Sequence, residues 1–333
     1  MTHTALRLVI LAVAAAVIGG CGDGDESKER TPTGALAAAL GGLGGGGEGS
    51  LGVGWADPQL VERAGLAPEV IEDAVAPNAR SVVEAAPGLR REFGLDPLAA
   101  DRLVSVGGSY AFGLRMDGVD GRALARQLVS DGGRARRVGR NEVIEIGDYA
   151  VVPDALLALG IRGLGAFDAL GRDVAVLAIS DRARAALLGE SEPLFDEPVY
   201  RAAAECLGDV VAARLIPDKL LLSVEVGVDQ VAIGVTADSE VLCVLGGSEE
   251  RATEIEAALR GALGPGGRDP VSHEPIGDSL RHVEVSRDGY DDVEVVRVEG
   301  ELAAGRSPDY FFSTVATGSL VSLINGEDSS FLR

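Results

Sequence analysis

The chain has 333 residues with 52 acidic and 30 basic side chains, a formal charge of −22 at pH 7. Nucleic-acid binding needs basic surface, so this balance excludes it and also argues against a polybasic patch on anionic lipid headgroups. At 46% hydrophobic residues the chain is globular and long enough for two domains with real cores, while 4% aromatics with a single Trp55 leave little surface for stacking sugars. The basic residues are almost all Arg, Lys28 and Lys219 excepted. With the Ala and Gly excess this reads as codon bias, so arginine abundance is not by itself ligand chemistry.

Met1 to Arg7 is a short polar start whose only charged side chain is Arg7. Leu8 to Ile18 is apolar and uncharged, and Gly19-Gly20 leads into Cys21. A run of this length matches a secretory signal and is too short to span a bilayer, which takes roughly 20 apolar residues. Ile18-Gly19-Gly20-Cys21 resembles the lipobox of bacterial lipoprotein precursors: an aliphatic residue, two small residues and an obligatory Cys. The resemblance implies diacylglycerol on the Cys21 thiol and cleavage before Cys21. The membrane partner is then met through acyl chains, each worth about 0.8 kcal/mol per buried methylene. An ordinary signal peptide with an incidental Cys, or an uncleaved anchor, is the plainer alternative.

Gly22 to Thr33 is polar and charged and reads as a flexible tether. Ala35 to Leu40 predicts a short helix before the glycine run Gly41 to Gly47. That run has GxGxxG-like spacing, but it leads into a strand, Leu51 to Trp55, and not into a helix, so it reads as a loop. Asp57-Pro58 caps a helix, and helical sequence continues through Pro68 to Ala76 and Ser81 to Phe93. Asp96-Pro97 caps a turn before strands at Leu103 to Val106 and Tyr110 to Met116. Asp120 caps a helix stopped by Gly132-Gly133, and a strand covers Val143 to Ile146.

Val174 to Ile179 is a strand, Asp181 caps a helix ending at Gly189, and another helix runs from Glu197 to Cys206. Strands follow at Val210 to Leu215, Leu221 to Val226, Val231 to Val235 and Val241 to Leu245. Ser248 caps a helix over Glu249 to Leu263, with Ala252, Ile255, Leu259 and Leu263 on one face. A hairpin, His282 to Ser286 with Val293 to Val298, turns on Arg287-Asp288-Gly289.

Matching features recur at near-constant offsets: Asp57 to Asp181 is 124 residues, and Leu103 to Val231 and Asp120 to Ser248 are each 128. The expected fold is therefore α+β, in two similar halves with helices packed on a mainly antiparallel sheet. The expected segments are a signal peptide (1–20), a lipid-anchored tether with its Gly-rich segment (21–48), a first unit (49–165) and a second (166–333).

Gly94-Leu95-Asp96-Pro97, Asp101, Val106-Gly107 and Cys206-Leu207-Gly208-Asp209-Val210 resemble patterns in functionally uncharacterised secreted lipoproteins of high-GC Gram-positive bacteria. Glu197-Pro198-Val199-Tyr200-Arg201-Ala202-Ala203 is similar to repeats in bacterial surface proteins of a domain-of-unknown-function class. These resemblances imply location and not chemistry.

No catalytic constellation stands out. His273 and His282 lack Cys or His partners at zinc-ligand spacing, and no HExxH or CxxC occurs. Gly107-Gly108-Ser109 lacks the final glycine of a nucleophile elbow. Asp288-Gly289-Tyr290-Asp291-Asp292 groups three acids but lacks EF-hand spacing, so a solvated turn is the reading and calcium the alternative. No metal or cofactor is expected.

Three cysteines occur, and acylation of Cys21 leaves Cys206 and Cys243. Export favours a bridge between them, with two buried free thiols as the alternative. The expectation is a non-enzymatic binding or scaffold module on the extracytoplasmic face of the cell membrane. The alternatives are a solute- or lipid-binding lipoprotein serving a transport system and an exported hydrolase.

Overall fold

A computed structural model describes residues 32–45, 51–75, 79–108, 111–138, 141–145, 154–159, 161, 165–170, 172–221, 227–290, 292–306 and 308–326. All of these belong to one unit, Pro32–Arg333. Arg7, the apolar run, Cys21 and the tether to Thr31 lie outside the described residues.

The elements in chain order are α1 (Ala35–Gly41), β1 (Gly52–Ala56), α2 (Pro58–Arg63), α3 (Glu69–Val75), α4 (Arg80–Glu84), α5 (Ala86–Phe93), β2 (Arg102–Gly108) and β3 (Ala111–Asp117). Then come α6 (Arg122–Ser130), β4 (Arg134–Val138), β5 (Asn141–Glu145), α7 (Asp154–Ala158), β6 (Ala166–Leu170), β7 (Val174–Ala178), α8 (Asp181–Leu187) and α9 (Pro198–Leu207). The rest are β8 (Ala212–Pro217), β9 (Gln230–Val235), β10 (Ser239–Leu245), α10 (Glu249–Leu263), β11 (Leu280–Tyr290), β12 (Val293–Leu302), α11 (Tyr310–Thr317) and α12 (Ser319–Asn325).

The fold is α+β. Twelve strands form one sheet in the order β11-β12-β10-β9-β8-β1-β2-β3-β7-β6-β5-β4. Neighbouring strands pair antiparallel throughout. Both β2–β3 and β9–β10 are hairpins followed by a helix and then a second hairpin, β4–β5 and β11–β12. β12 pairs directly with β10, whereas β7 and β6 stand between β3 and β5.

The period-two alternation of a strand sends successive side chains to opposite faces, so each strand feeds two cores. One core joins Ala212, Ile216, Ile233, Leu242 and Val296 to helices on that side, among them α3, α10, α11 and α12. The other joins Val53, Trp55, Ala213, Leu215, Cys243 and Val295 to α1, α8 and α9. The chain is thus a sheet with helices on both faces.

Local chemistry explains most boundaries. Asp57 accepts the N–H of Leu60 at 2.8 Å and Ser248 that of Arg251 at 3.1 Å, and both helices begin where these caps place them. At α8 the cap is Ser180, not Asp181: its hydroxyl accepts the Ala183 N–H at 3.2 Å, and Asp181 is the first helical residue. Asp120 accepts the Arg122 N–H at 3.0 Å from just outside α6, whose N-cap is Gly121. Ser81 to Phe93 is two helices, α4 and α5, because Pro87 brings no N–H to continue the first ladder.

The last hairpin turns later than its sequence suggests. Asp288 and Gly289 still pair with Val295 and Glu294, and Tyr290 pairs with Val293. The reversal falls between Tyr290 and Val293, with Asp292 at φ +67°, a conformation tight hairpin turns use. Strand Leu221 to Val226 falls largely outside the described residues, as do Ser109, Tyr110 and Ile146. At the β11 edge a bulge interrupts pairing between Arg281 and Glu284, and Arg260 donates to the Val285 carbonyl at 2.9 Å. Both features block addition of a further strand.

Candidate functional site

Of the residues singled out from sequence, Cys206 and Cys243 are joined in a disulfide linking α9 to β10, with Cα atoms 6.4 Å apart. Both are buried in the second core. His282 Nδ1 meets Glu301 Oε2 at 2.8 Å on the exposed side of β11. His273 sits in the preceding loop, where its N–H donates to the Asp269 carbonyl. Among the described residues no hydroxyl or thiol is hydrogen-bonded to either imidazole. Asp288 and Asp292 flank the hairpin turn, and Asp291 lies outside the described residues. No group of three or more His, Cys, Asp or Glu among the described residues is placed to hold a metal ion, and no described helix is long and apolar enough to cross a membrane.

The most unusual side chain is one the sequence did not mark. β8 lies near the middle of the sheet, between β1 and β9. Its alternation puts Ala212, Arg214 and Ile216 on the face of the first core, and Arg214 pairs with Gly54 on one side and Ile233 on the other. An arginine therefore occupies a core-facing position in a central strand. Gly54 lets α3 pass close above the sheet: a Cβ there would sit 2.4 Å from the Ala74 carbonyl. Ser105 ties down the same passage by donating to the Val75 carbonyl at 3.2 Å. Asp73 in α3 is thereby held beside Arg214.

Arg214 and Asp73 belong to a cavity of about 340 Å³. Its apolar wall comes from Leu220 and Leu221 after β8, Phe312 and Val315 of α11, and Leu320 and Val321 of α12. α11 and α12 break sharply at Gly318, whose φ of +78° a side chain would strain.

The electrostatics are uneven. Burial lowers the pKa of the Arg214 guanidinium, with the Asp73 charge opposing that shift. Arg214 makes no ion pair or hydrogen bond among the described residues. Asp73 is raised by burial, opposed by Arg80, whose Nη1 lies 3.7 Å from it. Arg80 also approaches Glu72 and Glu84 at 3.5 and 2.9 Å, so its charge is already shared among carboxylates. The cavity thus presents a guanidinium whose five N–H donors make no hydrogen bond among the described residues, with Asp73 alongside.

One wall is fixed from beneath. Asp309, the N-cap of α11, makes no capping bond with its side chain. The Glu240 carboxylate on β10 replaces it, accepting the N–H groups of Tyr310 at 2.9 Å and Phe311 at 2.8 Å. Glu240 is fully buried, and burial raises its pKa to about 7 against the pull of those two bonds. A second buried ionic group, the bidentate pair of Arg184 (α8) with Asp168 (β6) at 2.9 and 3.1 Å, ties a helix to the sheet away from the cavity.

No protein-family model and no curated protein matches the chain. Among solved structures, crystal form I of TP0453 aligns with 86% of this chain and 97% of its own, at 12% identity and a TM-score of 0.41.

Proposed function

We propose that the protein is a lipid-anchored, non-enzymatic binding module on the extracytoplasmic face of the cell membrane, held by a diacylglyceryl group on Cys21, with the Arg214 cavity as its ligand site. The anchor is supported by the Arg7 to Cys21 pattern. The binding role is supported by one observation above all: a core-facing guanidinium with no ion pair or hydrogen bond among the described residues opens into an apolar-walled cavity. A half-desolvated charge left unpaired costs stability, and an anion bound from outside would offset that cost. Of the alternative roles, carriage of a small solute or lipid for a transport system is the one this cavity favours, and it uses the same site. The test is native mass spectrometry of the full chain isolated from its own membrane, beside an Arg214→Gln variant. A ligand present on the first and absent from the second supports the reading. Wild type and variant each at its own ligand-free mass would sink it.

A further inference from the structure

We infer that the cavity takes a single-chain carboxylate amphiphile, its head on the Arg214 guanidinium and its aliphatic chain along the wall built by α11 and α12. The inference rests on the cavity being the ligand site and names what it holds.

Three features select this class. The first is charge. Arg214 is the lining cation that makes no ion pair among the described residues, whereas Arg80 is shared by Glu72, Asp73 and Glu84. With Asp73 alongside opposing any added negative charge, the single Arg214 guanidinium suits a monoanion better than a dianionic phosphate ester. A carboxylate also fits the guanidinium fork with two parallel hydrogen bonds.

The second feature is the rest of the lining. Beyond Asp73, Arg80 and Arg214, the described lining is aliphatic, aromatic or glycine, without a hydroxyl, amide or imidazole side chain. A sugar, nucleoside or peptide would leave its own polar groups unpaired there, which costs affinity steeply. A polymethylene chain asks only for apolar contact.

The third feature is size. At about 340 Å³ the cavity sits at the small end of the range of roughly 300–1,000 Å³ typical of small-molecule sites. It has room for one acyl chain and not for a two-chain phospholipid.

The experiment is isothermal titration of the full chain carrying Cys21→Ser, so that no acyl group of its own competes. The probes are dodecanoate, dodecanol, dodecyl phosphate and acetate, each kept below any micelle concentration. Dodecanoate is expected to bind one to one, at least tenfold more tightly than each of the other three. Arg214→Gln and Val321→Asp are each expected to weaken dodecanoate at least tenfold, with the far-ultraviolet spectrum unchanged. Dodecanol or dodecyl phosphate binding as tightly as dodecanoate would overturn the inference, on wild-type protein and without recourse to a variant. So would dodecanoate binding left unchanged by Arg214→Gln. If dodecanoate fails to bind while a different co-purifying ligand disappears with Arg214→Gln, the carboxylate class is wrong and the site stands. If neither is seen, both fall.

Discussion

The Glu240 carboxylate accepts the backbone N–H of Tyr310 at 2.9 Å, so a strand residue caps a helix that starts 70 positions further along the chain. That helix and its successor form a wall of the Arg214 cavity. A burial-raised carboxylate binds its proton more tightly folded than unfolded. Its contribution is therefore fully present below its ordinary pKa of 4.5 and is lost as pH rises through about 7. Asp73 and Asp309, also raised by burial, act in the same direction. Chemical denaturation at pH 5.0 and 7.5 is expected to give the higher midpoint at pH 5.0. Glu240→Gln is expected to shrink that difference, and Glu240→Ala to cost about 2–4 kcal/mol through two uncapped N–H groups and a void.

Arg214→Met is expected to stabilise the fold by about 1 kcal/mol, since it removes a desolvated charge that no ion pair among the described residues offsets, while keeping most of the side-chain volume. Urea midpoints of ligand-free wild type and variant decide this. A variant less stable than wild type would mean that Arg214 has a structural partner in solution.

Asp168→Asn leaves the Arg184 guanidinium buried with only Glu190, a half-exposed carboxylate at 3.3 Å, for compensation. The expected loss is about 3–5 kcal/mol. The double change Asp168→Leu with Arg184→Met should recover most of it, because an apolar pair of similar volume needs no desolvation of charge. A thermal unfolding series across the cycle measures both.

The Cys206–Cys243 bridge closes a loop with a sequence separation of 37. Replacing both cysteines with Ala is expected to destabilise the fold by up to about 4 kcal/mol in the chain-entropy model. Guanidinium unfolding of the variant against oxidised wild type checks it. Intact mass after alkylation in non-reducing denaturant should show no thiol at either position.

Cys21→Ser is expected to abolish acylation, read by metabolic labelling with a fatty-acid analogue. Equal label on wild type and variant would remove the lipobox reading and with it the proposed anchorage.

The fold was most legible where one residue carries the local decision. Ser248 and the apolar stripe Ala252, Ile255, Leu259 and Leu263 mark α10 at both ends. Asp57-Pro58 does the same for the start of α2. β4 was not legible, because Arg134-Ala135-Arg136-Arg137-Val138 has no apolar alternation and is a strand through its pairing with β5. β6, α7, α11 and α12 likewise lack a clear signal in the sequence. In α11 and α12 the apolar residues follow so closely that their period is hard to assign, and the cap of α11 comes from Glu240, remote in sequence. Arg214 could have been found. It interrupts the run Val210 to Ile216, otherwise Val, Ala, Leu and Ile, but in a chain so rich in arginine one more draws no notice.

The position of β1 sets an order of assembly. Its register joins Gly54 to Ser105 on one side and to Arg214 on the other. As the chain is made from its N-terminus, the β2 side can zip early, while the β8 side stays unpaired until residue 217 has emerged. Nucleation of the whole sheet must therefore wait for distant contacts, which makes folding slow and leaves an adhesive edge exposed meanwhile. Until β8 is in place, the far edge of β1 is the point at which a growing chain of this topology is open to wrong pairing.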